Sequence, residues 1–193
     1  MQDSVTSIDV SDHEILVGCA DGRARRYDLR NGQLLTDFVG AQITGVAFTR
    51  DGQCLLVGTS DDALRLFDKS TGEMLQEYTG HRHRKYRIDC TMDKSDQFVL
   101  SGSENGFVYA WDMVEGTMAA KLSHDEDTPE DKSTLTVHSL SSHPSKTALL
   151  TAAKTRVFMW RASEEEMASD EDDRIEIKHT PAPWEIGNIT SGT

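Results

Sequence analysis

One phrase recurs along this chain and constrains its fold more than any other feature. It consists of a glycine, an acid or amide three residues later, and an aromatic residue followed by a charged one. Its copies span 18–28, 58–68 and 102–112, and a degenerate copy ends at Trp160-Arg161. The aromatic residues of successive copies are 40, 44 and 49 positions apart. A period of about 20 to 50 residues indicates an array in which each repeat contributes one supersecondary unit.

Within each unit, short apolar runs alternate with turn residues. In the first unit, 5–10 alternates, 15–19 is continuously apolar, 24–27 is short and 33–38 is more polar. Short runs separated by Asp-Gly and Asn-Gly dipeptides, with almost no helical period, predict antiparallel strands joined by tight turns. The expected fold class is all-β, and the third unit is expected to begin with a strand at 86–90. The predicted units are 5–40, 43–80, 86–122 and 135–161, of which the last lacks a fourth strand.

The net charge of −13 is unevenly distributed along the 193 residues. The segment 162–193 has nine acids against two bases, and 123–133 has five acids against one, which leaves a balance of about −2 for the repeats. We therefore predict an exposed acidic loop at 123–133 and a disordered acidic tail at 162–193. Ser163 and Ser169 precede clustered acids in that tail and are candidate phosphorylation sites. Trp184 lies in a more hydrophobic island near its end.

Several classes of protein are disfavoured by composition. The three cysteines, Cys19, Cys54 and Cys90, form no metal-ligand or redox motif, so we expect buried thiols with no metal and no cofactor. No apolar run is long enough to span a bilayer, and the first residues lack the pattern of a secretory signal. A cytoplasmic and nuclear location without membrane association is therefore expected.

A family resemblance rests on the third unit and on longer strings in the first two. Gly80-His81, then 101–103 and Trp111-Asp112, resemble the WD-repeat β-propellers over residues 5–161. The strings VTSIDVSDHEILVG and TRDGQCLLVGTSDDALRLFDKSTGEMLQEYTGH resemble the second half of the mitogen-activated protein kinase organizer family of WD-repeat scaffolds. The resemblance implies a non-catalytic scaffold that assembles kinase-cascade (MAPK/ERK) components. It also implies splicing factors and an oxygen-sensing prolyl hydroxylase as other partners.

The resemblance further implies a hydrogen-bonded group in each blade. In the third unit it would consist of His81, Ser103, Asn105 and Trp111, with an amide at the place where the family has Asp. Asp61 and Asp21 occupy the same turn position in the second and first units. On this reading only the third blade is fully locked by polar side chains. A propeller hydrolase is a further alternative, although the repeat already explains the same His, Ser and acid.

The segment 80–87 is the most basic stretch outside the repeated phrase. Its cations are Arg82, Arg84, Lys85 and Arg87, and the family geometry places this link on the top face, where WD propellers bind partners. Two interpretations stay open: a solvated loop neutralised by the acidic 123–133 segment, or a docking patch for an acidic peptide or RNA backbone. We do not expect direct nucleic-acid binding.

The number of units raises a structural question. The resembling family builds about seven blades, and this chain supplies four at most. A truncated product with an incomplete, open propeller is therefore an alternative, together with a spliceosome-associated WD-repeat protein. Such an open ring would expose sheet edges and is expected to self-associate through them.

Overall fold

The computed structural model describes residues 4–124 and 135–161, which form fifteen β-strands in four antiparallel sheets and contain no helix. The first two sheets contain β1 Val5–Val10, β2 Glu14–Cys19, β3 Arg23–Asp28, β4 Leu34–Phe38, β5 Ile43–Phe48, β6 Cys54–Thr59, β7 Ala63–Asp68 and β8 Met74–Thr79. The last two contain β9 Cys90–Met92, β10 Phe98–Ser101, β11 Phe107–Asp112, β12 Met118–Ser123, β13 Val137–Ser142, β14 Ala148–Ala153 and β15 Arg156–Arg161.

Each sheet is a meander whose strands follow one another in chain order, as in a propeller blade. The orders are β1-β2-β3-β4, β5-β6-β7-β8 and β9-β10-β11-β12, and the fourth sheet contains only β13-β14-β15 within the described residues. The all-β class and the four-blade arrangement are thus confirmed. The predictions for the tail, including Ser163, Ser169 and Trp184, and most of the 123–133 loop lie outside the described residues.

The core lies between blades rather than within them. Leu16 and Ile43 meet between the first two blades, Leu56 and Trp111 belong to the cluster between the second and third, and further apolar side chains join the third to the fourth. The glycine of the repeated phrase permits this approach. A Cβ on Gly102 would stand 2.2 Å from the Val137 carbonyl oxygen of the next blade. Gly102 is therefore required for the packing of the third blade against the fourth.

The inner strand of the third blade differs from its prediction. It runs over Cys90–Met92 instead of 86–90. The backbone N–H groups of Arg84, Lys85 and Tyr86 donate to the Glu104 carboxylate and so are not available to a strand ladder. Side-chain capping of the backbone competes here with sheet pairing and wins.

The four blades form an open ring. The inner strands β1, β5, β9 and β13 pack in succession, and no contact of comparable extent joins β13 to β1 within residues 4–124 and 135–161. We call the end of the sheets that carries the β2–β3, β6–β7 and β10–β11 turns and the links between blades the top. None of the described residues forms a helix that could cross a membrane.

Candidate functional site

The basic loop, residues 82–87, lies at the top between the second and third blades. One carboxylate oxygen of Glu104 accepts hydrogen bonds from the backbone N–H groups of Arg84 (2.8 Å), Lys85 and Tyr86 (3.0 Å). Convergent N–H groups of this kind form an anion-binding concavity. Burial alone would raise the pKa of Glu104, but the three N–H donors outweigh it and lower the pKa. The third blade thus fills the concavity of the loop with its own anion.

The second blade braces the same loop from the other side. Asp62 lies in the β6–β7 turn with φ of 63°, in the left-handed region. Its carboxylate accepts the backbone N–H of His83 at 2.7 Å and the Arg84 guanidinium, and its own N–H donates to the His83 carbonyl oxygen at 3.2 Å. Burial would raise the pKa of Asp62, and these donors lower it overall. The loop is therefore held by one acid from each neighbouring blade.

Ser103 fixes the start of the loop. Its hydroxyl accepts the Arg82 N–H at 2.9 Å and donates to the Arg82 carbonyl oxygen at 3.1 Å, which also accepts the Glu104 N–H at 2.9 Å. Backbone groups from 82 to 86 are consequently bonded to the two blades. A loop this constrained presents its side chains in fixed positions and loses little conformational entropy when it binds.

All four cations predicted for the top face point outward. Arg82 approaches Glu104 at 3.8 Å, and Arg84 pairs with Asp62. Lys85 and Arg87 are exposed and have no ion pair in the part of the chain that the structure describes. These two therefore retain charge that no partner within the blades neutralises.

An aromatic side chain stands among these cations. Tyr86 is 43% exposed, with its ring 5.6 Å from the His138 ring in a T-shaped arrangement and 5.1 Å from the Lys85 ammonium. His138 contacts the Arg87 carbonyl oxygen at 3.1 Å, which ties the end of the loop to the fourth blade. Exposed Tyr and Arg on a rigid backbone are typical of protein interfaces.

The predicted hydrogen-bonded group of the third blade is assembled but not joined. The His81 and Trp111 rings lie 5.3 Å apart, yet the Trp111 indole N–H donates to the Thr79 carbonyl oxygen at 3.1 Å. The Ser103 hydroxyl already bonds to the Arg82 backbone. Neither ring nitrogen of His81 has a hydrogen-bond partner among the described residues. Burial, followed by the nearby His83, lowers the pKa of His81 to about 4. The ring is therefore neutral near pH 7.

The fourth blade carries the group that the sequence assigned to the third alone. His124 Nε2 and Thr151 Oγ1 are 2.6 Å apart, and the Trp160 indole N–H donates to the same hydroxyl at 2.8 Å. Both the histidine and the threonine are 1% exposed. The signal was present in the sequence, because His124 directly follows β12 nearly as His81 follows β8, but the acidic insertion after it obscured the parallel.

The first two blades use a different lock at the turn position of the repeated phrase. Asp21 binds Arg25 through both carboxylate oxygens at 3.1 and 2.6 Å, and Asp61 binds Arg65 at 3.2 and 2.7 Å. The hydrogen bond from Arg25 lowers the pKa of Asp21, and for Asp61 the donors Arg65 and Thr59 outweigh burial to the same effect.

Asn105 follows the same geometry with a neutral partner. Its amide donates to the Tyr109 hydroxyl at 2.9 Å, and Tyr109 occupies the position of the two arginines. The change from Asp to Asn thus accompanies a change from Arg to Tyr. The amide is not a weakened acid in this turn but one half of an uncharged pair.

The arrangement of His81 and Ser103 does not resemble a nucleophile with its base. Ser103 is fully buried, and its hydroxyl bonds to backbone rather than to the histidine. No group of three or more His, Cys, Asp or Glu side chains within 4–124 and 135–161 is arranged to hold a metal ion.

The central channel contains acids that the sequence reasoning missed. A cavity of about 360 Å³ is lined by the inner strands and includes Asp9, Asp89 and Asp96. Asp9 accepts the Phe48 N–H, Asp89 accepts the Ser139 hydroxyl, and Asp96 accepts the Arg50 N–H. Their positions in separate strands and turns of the sequence did not predict that they converge. Each is engaged in joining one blade to another.

The sequence of this chain matches a family model and several known proteins. Residues 36–94 match a family model described as the anaphase-promoting complex subunit 4 WD40 domain. The chain is 54% identical over 162 residues to WD repeat domain-containing protein 83 of Xenopus tropicalis, covering 84% of this chain and 49% of the relative. The protein of the same name from Homo sapiens is 48% identical over 160 residues, covering 83% and 48%. The chain therefore spans about half the length of the curated relatives it matches.

A solved structure shares the fold. It is described as the crystal structure of the computationally designed Ika4 protein, and it aligns with a TM-score of 0.65 at 22% identity. The alignment covers 83% of this chain and 92% of that one. At this identity the likeness concerns the fold alone.

Proposed function

We propose that this chain is a WD-repeat protein-interaction scaffold that assembles components of a mitogen-activated protein kinase cascade. The observation that carries the proposal is the basic loop, whose backbone is held by Asp62 and Glu104 while its cations face solvent. The similarity to WD repeat domain-containing protein 83 supports the scaffold class. We propose action in the cytoplasm and nucleus, where such partners occur.

The chemistry of the loop specifies the partner surface. Lys85 and Arg87 have no ion pair within 4–124 and 135–161 and lie beside the exposed Tyr86 ring, so the complementary surface is acidic with an apolar or aromatic contact at its centre. The loop does not act as an extended docking peptide, because Ile88, the hydrophobic residue that would follow its basic residues, is 1% exposed and belongs to the interior. Binding thus uses a folded surface.

The decisive measurement is the affinity of the purified full chain for a purified MAP kinase and for its upstream kinase. Lys85→Glu/Arg87→Glu reverses the two unpaired charges and leaves the acids that brace the loop in place. We expect about tenfold weaker binding, from roughly 0.7 kcal/mol for each exposed charge, with the difference shrinking at high salt. Lys94→Glu/Lys146→Glu is the matched control, because it makes the same charge change in turns at the bottom of the blades.

Scaffolding adds a requirement beyond binding. A scaffold must hold two consecutive kinases at once, so phosphorylation of the downstream kinase should rise with scaffold concentration and fall when excess scaffold separates the two. Equal affinities of the loop variant and its control would remove the loop from the interface. Absence of kinase binding together with stoichiometric recovery of spliceosomal proteins from nuclear extract would replace the kinase role by the splicing alternative.

A further inference from the structure

Each blade has a front face, toward the preceding blade, and a back face, toward the following one. Strand pairing puts equivalent residues of the four blades in register, so the same position can be compared across them. On the front face, Leu55, Val99 and Leu149 occupy one such position and are 2%, 0% and 7% exposed. Each is covered by the blade before it. The repeat therefore defines what a covered front face looks like.

The front face of the first blade has the same apolar character, and no other described residue covers its inner strand β1, although Val17 at its centre is 6% exposed. One row of side chains on this face crosses all four strands of the first blade. It pairs Val10 with Ile15, Ile15 with Tyr27 and Tyr27 with Leu34. Val10 is 60% exposed, whereas its equivalent Met92 is 6% exposed. Leu34, on the outer strand, is as exposed as its equivalent Met74, so the difference lies at the inner strand. In the neighbouring row, Ile8 is 59% exposed, whereas its equivalents Val46 and Cys90 are 6% and 8% exposed.

The fourth blade shows the complementary feature on its back face. Leu150 is 40% exposed, whereas its equivalents Leu16, Leu56 and Leu100 are 0%, 0% and 6% exposed. Val157 is 55% exposed, and the residues at its position in the other blades, Ala24, Leu64 and Val108, are at most 1% exposed. Met159 lies beside Leu150 in the strand register. The two uncovered faces are thus the two halves of one blade-to-blade joint.

We propose that the front face of the first blade binds the back face of the fourth blade in a second copy of this chain. The three internal joints show the chemistry that covers a front face, namely aliphatic side chains at the positions of Leu56 and Leu64. A second copy presents Leu150 and Val157 at those positions. Two copies related by a twofold axis use the joint twice, and every apolar face is then covered in a closed ring.

The fourth blade has alanine where the other three blades have glycine, and this difference sets the distance between sheets at the proposed joint. Gly18, Gly58 and Gly102 occupy the position of Ala152. A Cβ on Gly58 would meet the Cys90 sulfur at 3.4 Å, an ordinary contact, whereas one on Gly102 would clash. The joint between copies therefore follows the wider spacing found between the second and third blades. It is a contact of sheet faces, distinct from pairing of strand edges.

The test is the mass of the full 193-residue chain by sedimentation equilibrium over a wide concentration range. We expect a dimer that Ile8→Lys and Val157→Glu each weaken at least tenfold. Both positions are more than half exposed, so the fold should survive, and tryptophan fluorescence checks that it does. Val114→Glu is the control, because Val114 is 75% exposed and lies in the turn before β12, away from both faces.

Mixing the two variants gives the sharpest readout. In a mixture, one joint is unaltered and the other brings the new lysine against the new glutamate, so the dimer should return. A monomer at all concentrations would overturn the proposal and would indicate that residues 162–193 or the preceding part of a longer polypeptide cover these faces. Failure of the mixture to reassociate, or equal weakening by Val114→Glu, would also overturn it.

Discussion

The third blade matches the repeat better in sequence than the fourth does, but the hydrogen-bonded group expected from the repeat forms in the fourth. The third matches the WD-repeat pattern most fully, yet Ser103 and Trp111 bond to backbone, and the His81 ring has no hydrogen-bond partner among the described residues. The fourth is the most degenerate copy, and its His124 and Trp160 share the hydroxyl of Thr151. Polar groups of the third blade bond to the basic loop, whereas those of the fourth blade bond to one another in its interior.

The difference shows that a motif specifies which residues meet, and local competition specifies how they bond. Ser103 is adjacent to Arg82, whose backbone N–H and carbonyl need partners in a loop outside any ladder. Thr151 lies within β14, where the backbone is already paired, so its hydroxyl is free to join two rings. The blade that follows the basic loop and the fourth blade therefore use similar residues differently.

Thr151→Val should produce the largest effect and would show whether the fourth blade depends on its shared hydroxyl. The change keeps the shape but removes the buried hydroxyl that the Trp160 N–H and His124 Nε2 share. We expect a loss of about 3 kcal/mol in the free energy of unfolding, measured in urea, because losing a buried hydrogen-bond partner costs about 1 to 3 kcal/mol for each contact. A loss no greater than that of Ser103→Ala would remove the contrast between the blades.

The buried ring of His81 predicts a pH dependence of stability centred in the third blade. Its pKa falls to about 4 in the folded protein from its ordinary 6.5, so the unfolded chain binds more protons between these values. The contribution of the neutral His81 ring to the free energy of unfolding is fully present above pH 6.5. It decreases by about 3 kcal/mol as pH falls toward 4. His81→Phe should flatten urea stability between pH 6.5 and 4. An unchanged slope would place the proton uptake elsewhere.

Glu104→Gln tests whether the acid holds the basic loop rather than the blade. The amide oxygen still accepts N–H groups but carries no charge, and we expect a loss of about 1 kcal/mol. Hydrogen exchange at the amides of Arg84, Lys85 and Tyr86 should accelerate, while the β14 amides stay protected. Because the pKa of Glu104 is lowered, its contribution is present at neutral pH and is lost as pH falls below its ordinary value of 4.5. Uniform acceleration in both blades would contradict a local role.

The Asn105–Tyr109 pair gives the smallest expected effect. Asn105→Asp alone should not stabilise the blade, because position 109 supplies no guanidinium. Adding Tyr109→Arg recreates the pair of the first two blades, and we expect a favourable coupling of about 0.5 kcal/mol in a double-mutant cycle. Zero coupling would mean that the Asp–Arg geometry depends on the turn of its own blade.

Much of the fold was predictable because the repeat encodes it. Glycines of the repeated phrase, apolar runs and Asp-Gly turns indicated four sheets, and only the inner strand at 86–90 was misplaced. That strand was missed because Glu104, far from it in sequence, captures the backbone of the loop. The basic loop itself was recognised from its composition, but its bracing by Asp62 and Glu104 required two turns from different blades to converge.

By itself, the sequence determined that the chain is an array of four all-β units, because period and strand pattern are local properties. Tertiary structure alone decided which polar groups bond, that Asn105 pairs with Tyr109, and which apolar faces remain open. Those outcomes depend on how neighbouring blades compete for the same donors and surfaces. Ile8 and Val46 are equivalent in sequence, and only the presence of a preceding blade makes one buried and the other exposed.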